Sequence, residues 1–167
     1  MNKIEELKFI IGRFDHYFES VNNKGNLYLT LNTFLLAGAI GGYAVLLSNK
    51  ICTLAWPELV IIGAIAVCNI VAYFHTIKGI YPFISRRQGS SYIFYGDIAG
   101  RTTSEWRTFF GDVQVSGYEQ DLVEQAHQLA TGLRSKYIRL RTATWWIFSE
   151  FVGFSLATLY LLIKHFA

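Results

Sequence analysis

The sequence offers little that enzyme chemistry needs. Four histidines lie in different segments without the spacing of metal ligands: His16, His75, His127 and His165. The sequence also lacks a GxxxxGK[ST] phosphate loop and the HExxH, CxxC and GxSxG motifs. We therefore expect a protein that is not an enzyme, with no catalytic residues, no bound metal and no catalytic cofactor.

Glu150 is the one charged residue in the apolar run from 142 to 163. An ionisable residue at membrane depth indicates pore lining, gating or a proton relay. The structural alternative is that its side chain reaches back to the nearby boundary or bonds a neighbour such as Ser149. The residues alone leave both alternatives open.

A cluster of basic residues precedes this run: Arg134, Lys136, Arg139 and Arg141. Such a cluster is typical of anchoring to anionic lipid and of topology control. Alternatively, it binds a phosphate group together with Lys24 and the Arg86-Arg87 pair, which neighbouring helices would bring to a similar depth. The second alternative predicts a pocket for a small anion.

The stretch SSYIFYGDIAG, residues 90 to 100, combines aromatic residues with Gly96 and Asp97. Aromatic side chains such as Tyr95 are able to stack on a flat base, and the Asp97 carboxylate to accept hydrogen bonds from its edge. The structural alternative, which the residues alone favour, is a short strand from Tyr92 to Tyr95 or a helix-packing wedge, with Gly96 and Asp97 as a turn.

These residues lie around three apolar runs that are long enough to cross a membrane. The chain has 167 residues, of which 52% are hydrophobic and only 16% charged. Twenty-five consecutive uncharged residues separate Lys24 from Lys50, and about twenty suffice for a helix to cross the hydrocarbon core. Residues 59–77 and 142–163 form the other two runs. The sequence therefore predicts an all-α membrane protein with three transmembrane helices, long helices that extend into the cytosol, and a small linker element between spans two and three.

The predicted order of segments follows from these runs and from the turn signals between them. It is a cytosolic amphipathic helix at 1–24, transmembrane helix 1 at 25–49, a short outer loop at 50–57, transmembrane helix 2 at 58–81, a cytosolic linker element at 82–116, a cytosolic helix at 117–141 and transmembrane helix 3 at 142–164. Lys and Arg concentrate before span one and between Lys78 and Arg141, which predicts a multi-pass membrane protein with a cytoplasmic N-terminus. This topology explains the net charge of +3, so we expect no nucleic acid polymer as partner.

Two helical stripes predict packing between helices. They consist of Ile4, Leu7, Ile11, Phe14, Phe18 and Val21, and of Leu122, Ala126, Leu129, Leu133, Tyr137 and Leu140. No proline interrupts either stripe before its span, so each predicts one long helix, and the stripes favour a homo-oligomer.

Local signals add further expectations. Thr102 with Glu105, and Ser116 with Glu119, are capping-box pairs that predict helix starts, the first for a helix over 103–111. Asn32 and Asn69 are expected to form hydrogen bonds between helices, and Gly38, Gly41 and Gly42 to allow close helix contact. Cys52 and Cys68 do not resemble a disulfide framework, so we expect each to be a buried or free thiol.

Three stretches resemble the Pycsar transmembrane effectors. VNNKGNLYLTLN at 21–32 is similar to that family's junction into the first span, an Asp-x-Lys-Ala pattern followed by an apolar stretch that ends in Asn. Here Asn22 stands in place of the aspartate and Gly25 in place of the alanine. YIFYGDI at 92–98 resembles the family's aromatic-Gly-Asp-Ile element, and LVEQAHQLATGLRSKYIRLRTA at 122–143 resembles its final cytosolic helix with a Lys-aromatic pair.

The resemblance implies an antiphage effector that senses cyclic UMP or cyclic CMP, made by a cognate cyclase, and impairs the inner membrane in abortive infection. The positions that match the family motifs are Lys24, Gly96, Asp97, Lys136 and Tyr137. The ligand-binding residues that we expect are Lys24, Arg86, Arg87, Tyr95, Asp97, Lys136 and Arg139, with Glu150 in a pore or gating role. From other classes, a scaffolding membrane protein without a small ligand and a small ion channel remain alternatives.

Overall fold

A computed structural model describes residues 2–48, 56–82 and 91–166 of the chain. Every regular element within these ranges is an α-helix. The helices are α1 (Lys3–Ser48), α2 (Trp56–Ile80), α3 (Tyr95–Ala99), α4 (Thr103–Gly111) and α5 (Val115–Phe166). The all-α prediction is confirmed. The strand alternative for Tyr92 to Tyr95 is wrong, because Tyr92 and Ile93 lie in a bend and Tyr95 already begins α3.

Three of these helices, α1, α2 and α5, are long and apolar enough to cross a membrane. The 25 residues of α2 match one crossing, whereas α1 has 46 residues and α5 has 52, more than twice the roughly 20 that a crossing needs. Neither long helix contains a proline, and α1 continues without a break through Gly25. The prediction of two long helices, each containing a span, is confirmed.

The chain divides into two compact units. The first unit comprises Met1–Ser20 and Pro82–Ser135, and the second comprises Val21–Tyr81 and Lys136–Ala167. The second unit therefore contains all of α2 together with the most apolar parts of α1 and α5.

Within the second unit, glycines allow the helices to approach closely. Gly25 of α1 lies directly against the Ile80 side chain of α2, and a Cβ on Gly79 would lie 3.1 Å from Leu140 Cδ2 of α5. Small residues at such crossings are common in membranes, where helices associate through close packing. The corresponding prediction for Gly38, Gly41 and Gly42 is wrong for the described chain, because a Cβ at any of these positions would have no described atom within 4 Å.

The first unit contains the two short helices. Thr102 caps α4 in the predicted capping box: its side chain accepts from the Glu105 N–H, and the Glu105 carboxylate accepts from the Thr102 N–H at 2.8 Å. Donation from the Thr102 N–H, and also from its hydroxyl, holds the pKa of the exposed Glu105 carboxyl below its usual value. The second predicted box is wrong, because α5 begins at Val115 and Ser116 falls inside its first turn.

Candidate functional site

The three membrane helices of the second unit meet at a layer of buried polar side chains, which we call the polar layer. It consists of Asn32 of α1, Asn69 of α2 and Glu150 of α5. Asn69 Nδ2 donates to the Asn32 carbonyl oxygen at 2.9 Å and to Glu150 Oε1 at 3.0 Å. Asn32 and Glu150 are fully buried, and Asn69 is 3% exposed. Asn69 thus links all three spans.

These hydrogen bonds test the structural predictions for the two asparagines and for Glu150. The prediction of bonds between helices is confirmed for Asn69, whereas Asn32 takes part through its backbone oxygen and not through its side chain. The Glu150 carboxylate bonds Asn69 and not Ser149, whose hydroxyl donates to the Trp145 carbonyl on its own helix. The pore or gating role of Glu150 stays a prediction.

The polar layer lies at one depth along the three helices. Counted from the nearest basic residue, Asn32 is eight positions past Lys24, Asn69 is nine before Lys78, and Glu150 is nine past Arg141. At 1.5 Å per residue these separations are about 12–14 Å. Because the hydrocarbon core is about 30 Å thick, this depth corresponds to the middle of a bilayer whose boundary lies at the basic residues.

At that basic end, Lys136 joins the three helices of the second unit. Its ammonium donates to the Asn22 side-chain oxygen of α1 at 3.3 Å and to the Ile80 carbonyl of α2 at 2.8 Å. Lys136 is only 5% exposed, and this burial lowers the pKa of its side chain. The predicted ligand residue Lys136 is therefore hydrogen-bonded inside the unit.

Next to Lys136, the surface of α1 and α5 forms a groove of about 390 Å³, which we call the basic groove. Its lining residues are Lys24, Tyr28, Tyr137, Leu140, Arg141, Thr144 and Trp145. The Lys24 ammonium lies 5.9 Å from the centre of the Tyr137 ring. Lys24 and Arg141 supply positive charge, and the exposed Trp145 supplies an aromatic face. This combination suits a ligand that carries both an anionic group and a flat ring.

The structure thus brings together Lys24, Lys136 and Tyr137, three of the positions that match the family motifs. Arg139 is half-buried, with its Cβ beside Gly79. Arg86 and Arg87 lie outside the described residues. The sequence predicts Arg141 only as a member of the basic cluster. Sequence reasoning missed the groove residues Tyr28, Thr144 and Trp145. The sequence contains a signal for Tyr28 and Arg141. Tyr28 follows Lys24 by four positions and Arg141 follows Tyr137 by four, which places each pair on one helical face.

Asp97 and Tyr95 belong to the first unit, where the SSYIFYGDIAG stretch is held by two carboxylates. Asp97 Oδ2 accepts from the Ser91 N–H at 2.7 Å. Asp121 of α5 accepts from the Ser91 hydroxyl and, at 2.7 Å, from the Tyr92 N–H. Sequence reasoning missed Asp121, which no short motif marks. These bonds favour a structural role for Asp97 as the residue that closes a local loop.

The aromatic side chains of this stretch contact one another and α4. The Tyr92 ring stacks on Phe109 with 4.4 Å between centroids, and the Phe94 ring covers Gly96 so closely that a Cβ there would collide with it. Tyr95 is 63% exposed, with its ring 4.9 Å from that of Phe94. Tyr95 is therefore the exposed aromatic residue among the predicted ligand-binding positions.

Three membrane-crossing helices, linked by buried polar residues and carrying a basic groove at one end, define an all-α multi-pass membrane protein. Comparison with protein families identifies it further: the model of the Pycsar effector protein domain matches residues 6–163, nearly the whole chain. The chain belongs to this family, and the resemblance of its motifs is confirmed. It is accordingly an antiphage membrane effector. No curated protein and no solved structure matches the chain.

Proposed function

We propose that this effector binds a cyclic mononucleotide, cyclic UMP or cyclic CMP made by a cognate cyclase, and in response impairs the integrity of the bacterial inner membrane. The effector acts as a homo-oligomer without catalysing a reaction. In this account its N-terminus lies in the cytoplasm, and infected cells die before the phage completes its cycle.

The observation that carries the proposal is the basic groove. A cyclic mononucleotide presents one phosphodiester anion and one flat base, and the groove offers Lys24 and Arg141 for the first and aromatic faces for the second. Its volume of about 390 Å³ falls in the range typical of small-ligand sites. Lys136, the residue before Tyr137, connects α5 to α1 and α2 through its hydrogen bonds to Asn22 and Ile80. It therefore helps to hold together the helices that form the groove.

A second observation supports coupling between ligand and membrane. α1 and α5 both contribute to the basic groove and to the polar layer, and neither helix has a break between the two. A ligand that changes how α1 and α5 pack at the groove therefore acts on the packing around Asn69. Such a shift requires that the ligand prefer one packing arrangement over the other, since equal affinity for both would change nothing.

Calorimetry on the full-length protein tests the binding step. The protein in nanodiscs of zwitterionic lipid is titrated with a panel of cyclic mono- and dinucleotides, so that anionic headgroups do not compete. We expect a cyclic pyrimidine mononucleotide to bind, and Lys24→Gln to weaken binding about tenfold or more, since hydrogen bonds to charged groups contribute about 1.5–3 kcal/mol.

Lys78→Gln is the matched control, because Lys78 of α2 lies over the Phe74 ring and does not line the groove. It should leave affinity unchanged. If no cyclic nucleotide binds, the sensing step is wrong. If affinity is unchanged in Lys24→Gln, the nucleotide binds outside the groove.

A further inference from the structure

Some buried polar atoms of the polar layer form no hydrogen bond with the described residues. Among the described residues, no partner is found for Asn32 Nδ2 and Oδ1 or for Glu150 Oε2. Both residues are fully buried. A buried polar group without a partner costs about 1–3 kcal/mol, more if it is charged, so a side chain and a carboxylate oxygen in this state indicate that the site binds a ligand.

Charge narrows the choice of ligand. No charged residue occurs in 25–49 or 59–77, and Glu150 is the one charged residue of 142–163. An ionised Glu150 therefore has no counter-charge within the three apolar runs, and an isolated charge at membrane depth is strongly unfavourable. One monovalent cation neutralises the site, whereas a divalent cation would leave it with a net positive charge.

The available atoms suit an alkali-metal ion. Glu150 Oε2 and Asn32 Oδ1 are hard oxygen ligands, the kind that alkali and alkaline-earth ions prefer. Asn69 contributes by position, because its amide nitrogen donates both to Glu150 Oε1 and to the Asn32 backbone oxygen. The free Asn32 Nδ2 donor suits a water that accompanies the ion.

We propose that Asn32 and Glu150, positioned by Asn69, form an intramembrane binding site for a monovalent metal cation, sodium or potassium. The site is distinct from the basic groove and does not depend on a cyclic nucleotide. The ion stabilises the packing of the three spans, because its ligands come from α1 and α5 and the positioning residue from α2.

Thermal unfolding of the full-length protein in nanodiscs tests the site. The midpoint is measured in sodium or potassium chloride and in N-methyl-D-glucamine chloride at the same ionic strength, since the organic cation is too large for a buried site. We expect the metal ion to raise the midpoint in a saturable way. At ten times Kd it should lower the unfolding equilibrium constant about elevenfold.

Two variants and a control separate a cation site from a merely polar core. Glu150→Gln keeps the Asn69 bond but removes the charge, and it should abolish the difference between the salts. Asn32→Leu should also reduce it, with a higher cation concentration needed for half the effect. Ser149→Ala is the matched control, because Ser149 is exposed and bonds only its own helix. It should respond to the metal ion as the unsubstituted protein does.

Two results would overturn the proposal. One is a midpoint that depends on pH but is equal in the metal and organic salts, since Glu150 is then simply protonated. The other is an equal midpoint in all salts together with a more stable Asn32→Leu protein, since the Asn32 amide is then an unfilled polar group. If Glu150→Gln fails to fold, the midpoints of Asn32→Leu and of the unsubstituted protein in the metal and organic salts still test the proposal.

Discussion

Asn69 is the residue that links the three spans within the polar layer. Its amide group is the hydrogen-bond donor to both α1 and α5. The sequence indicated that Asn32 and Asn69 bond between helices, because an asparagine amide in an apolar span has few other partners. It did not indicate Glu150 as the shared partner, since that pairing depends on the rotation of three helices about their axes.

Asn69→Leu should lower the free energy of unfolding by about 1–3 kcal/mol. The change removes both bonds and leaves the Glu150 carboxylate without its Asn69 donor. Unfolding in mixed detergent micelles measures the effect. Asn26→Leu, at an exposed asparagine of α1, is the control and should change stability little. A loss no larger than that of the control would show that the polar layer does not stabilise the fold.

Lys136 is buried between two neutral oxygen acceptors, the Asn22 side chain and the Ile80 carbonyl. Asn22→Asp should stabilise the protein by about 1 kcal/mol, because a carboxylate attracts the Lys136 ammonium more strongly than the neutral amide oxygen does. The gain should vanish when Asn22→Asp is made in a Lys136→Met background, as a double-mutant cycle measures.

The matched control for this cycle is Asn23→Asp, which adds the same charge at the exposed neighbouring position. Equal effects of the two aspartates, with no coupling to Lys136, would contradict the hydrogen bond seen between Asn22 and Lys136.

At the scale of elements, composition and periodicity predicted the helices well. The long α1 and α5 followed from apolar stripes without proline, and α4 followed from the Thr102–Glu105 box. The close contacts were predicted less well, because every span contains glycines and only tertiary packing decides which of them meet another helix. Gly25 and Gly79 do so, whereas no described atom would lie within 4 Å of a Cβ at Gly38.

Gly25→Leu should destabilise the second unit by about 1–3 kcal/mol, because the new side chain occupies the space of Ile80. A second substitution, Ile80→Ala, should restore part of the loss. Gly38→Leu is the control, because no described atom would lie within 4 Å of a Cβ at that position. Stability is measured by thermal unfolding in detergent, and equal losses at Gly25 and Gly38 would contradict the α1–α2 crossing.

At the scale of the whole molecule, the family assignment and the three apolar helices establish a membrane effector. Motif resemblance identified the family from the sequence. The candidate site could be predicted only in part: Lys24 and Tyr137 were found through their motif positions, but the groove they share with Arg141 and Trp145 arises from the pairing of α1 with α5, which no local pattern specifies.

We propose that a cyclic nucleotide at the cytoplasmic end of these helices causes the spans to impair the membrane. Membrane potential in bacteria that express the effector with a pyrimidine nucleotide cyclase, followed with a voltage-sensitive dye, tests it most directly. We predict depolarisation with the active cyclase, none with a cyclase inactivated at its catalytic site, and a reduced response for Lys24→Gln but not for Lys78→Gln. Depolarisation that is the same with active and inactive cyclase, or a stable potential despite accumulated cyclic nucleotide, would contradict the account.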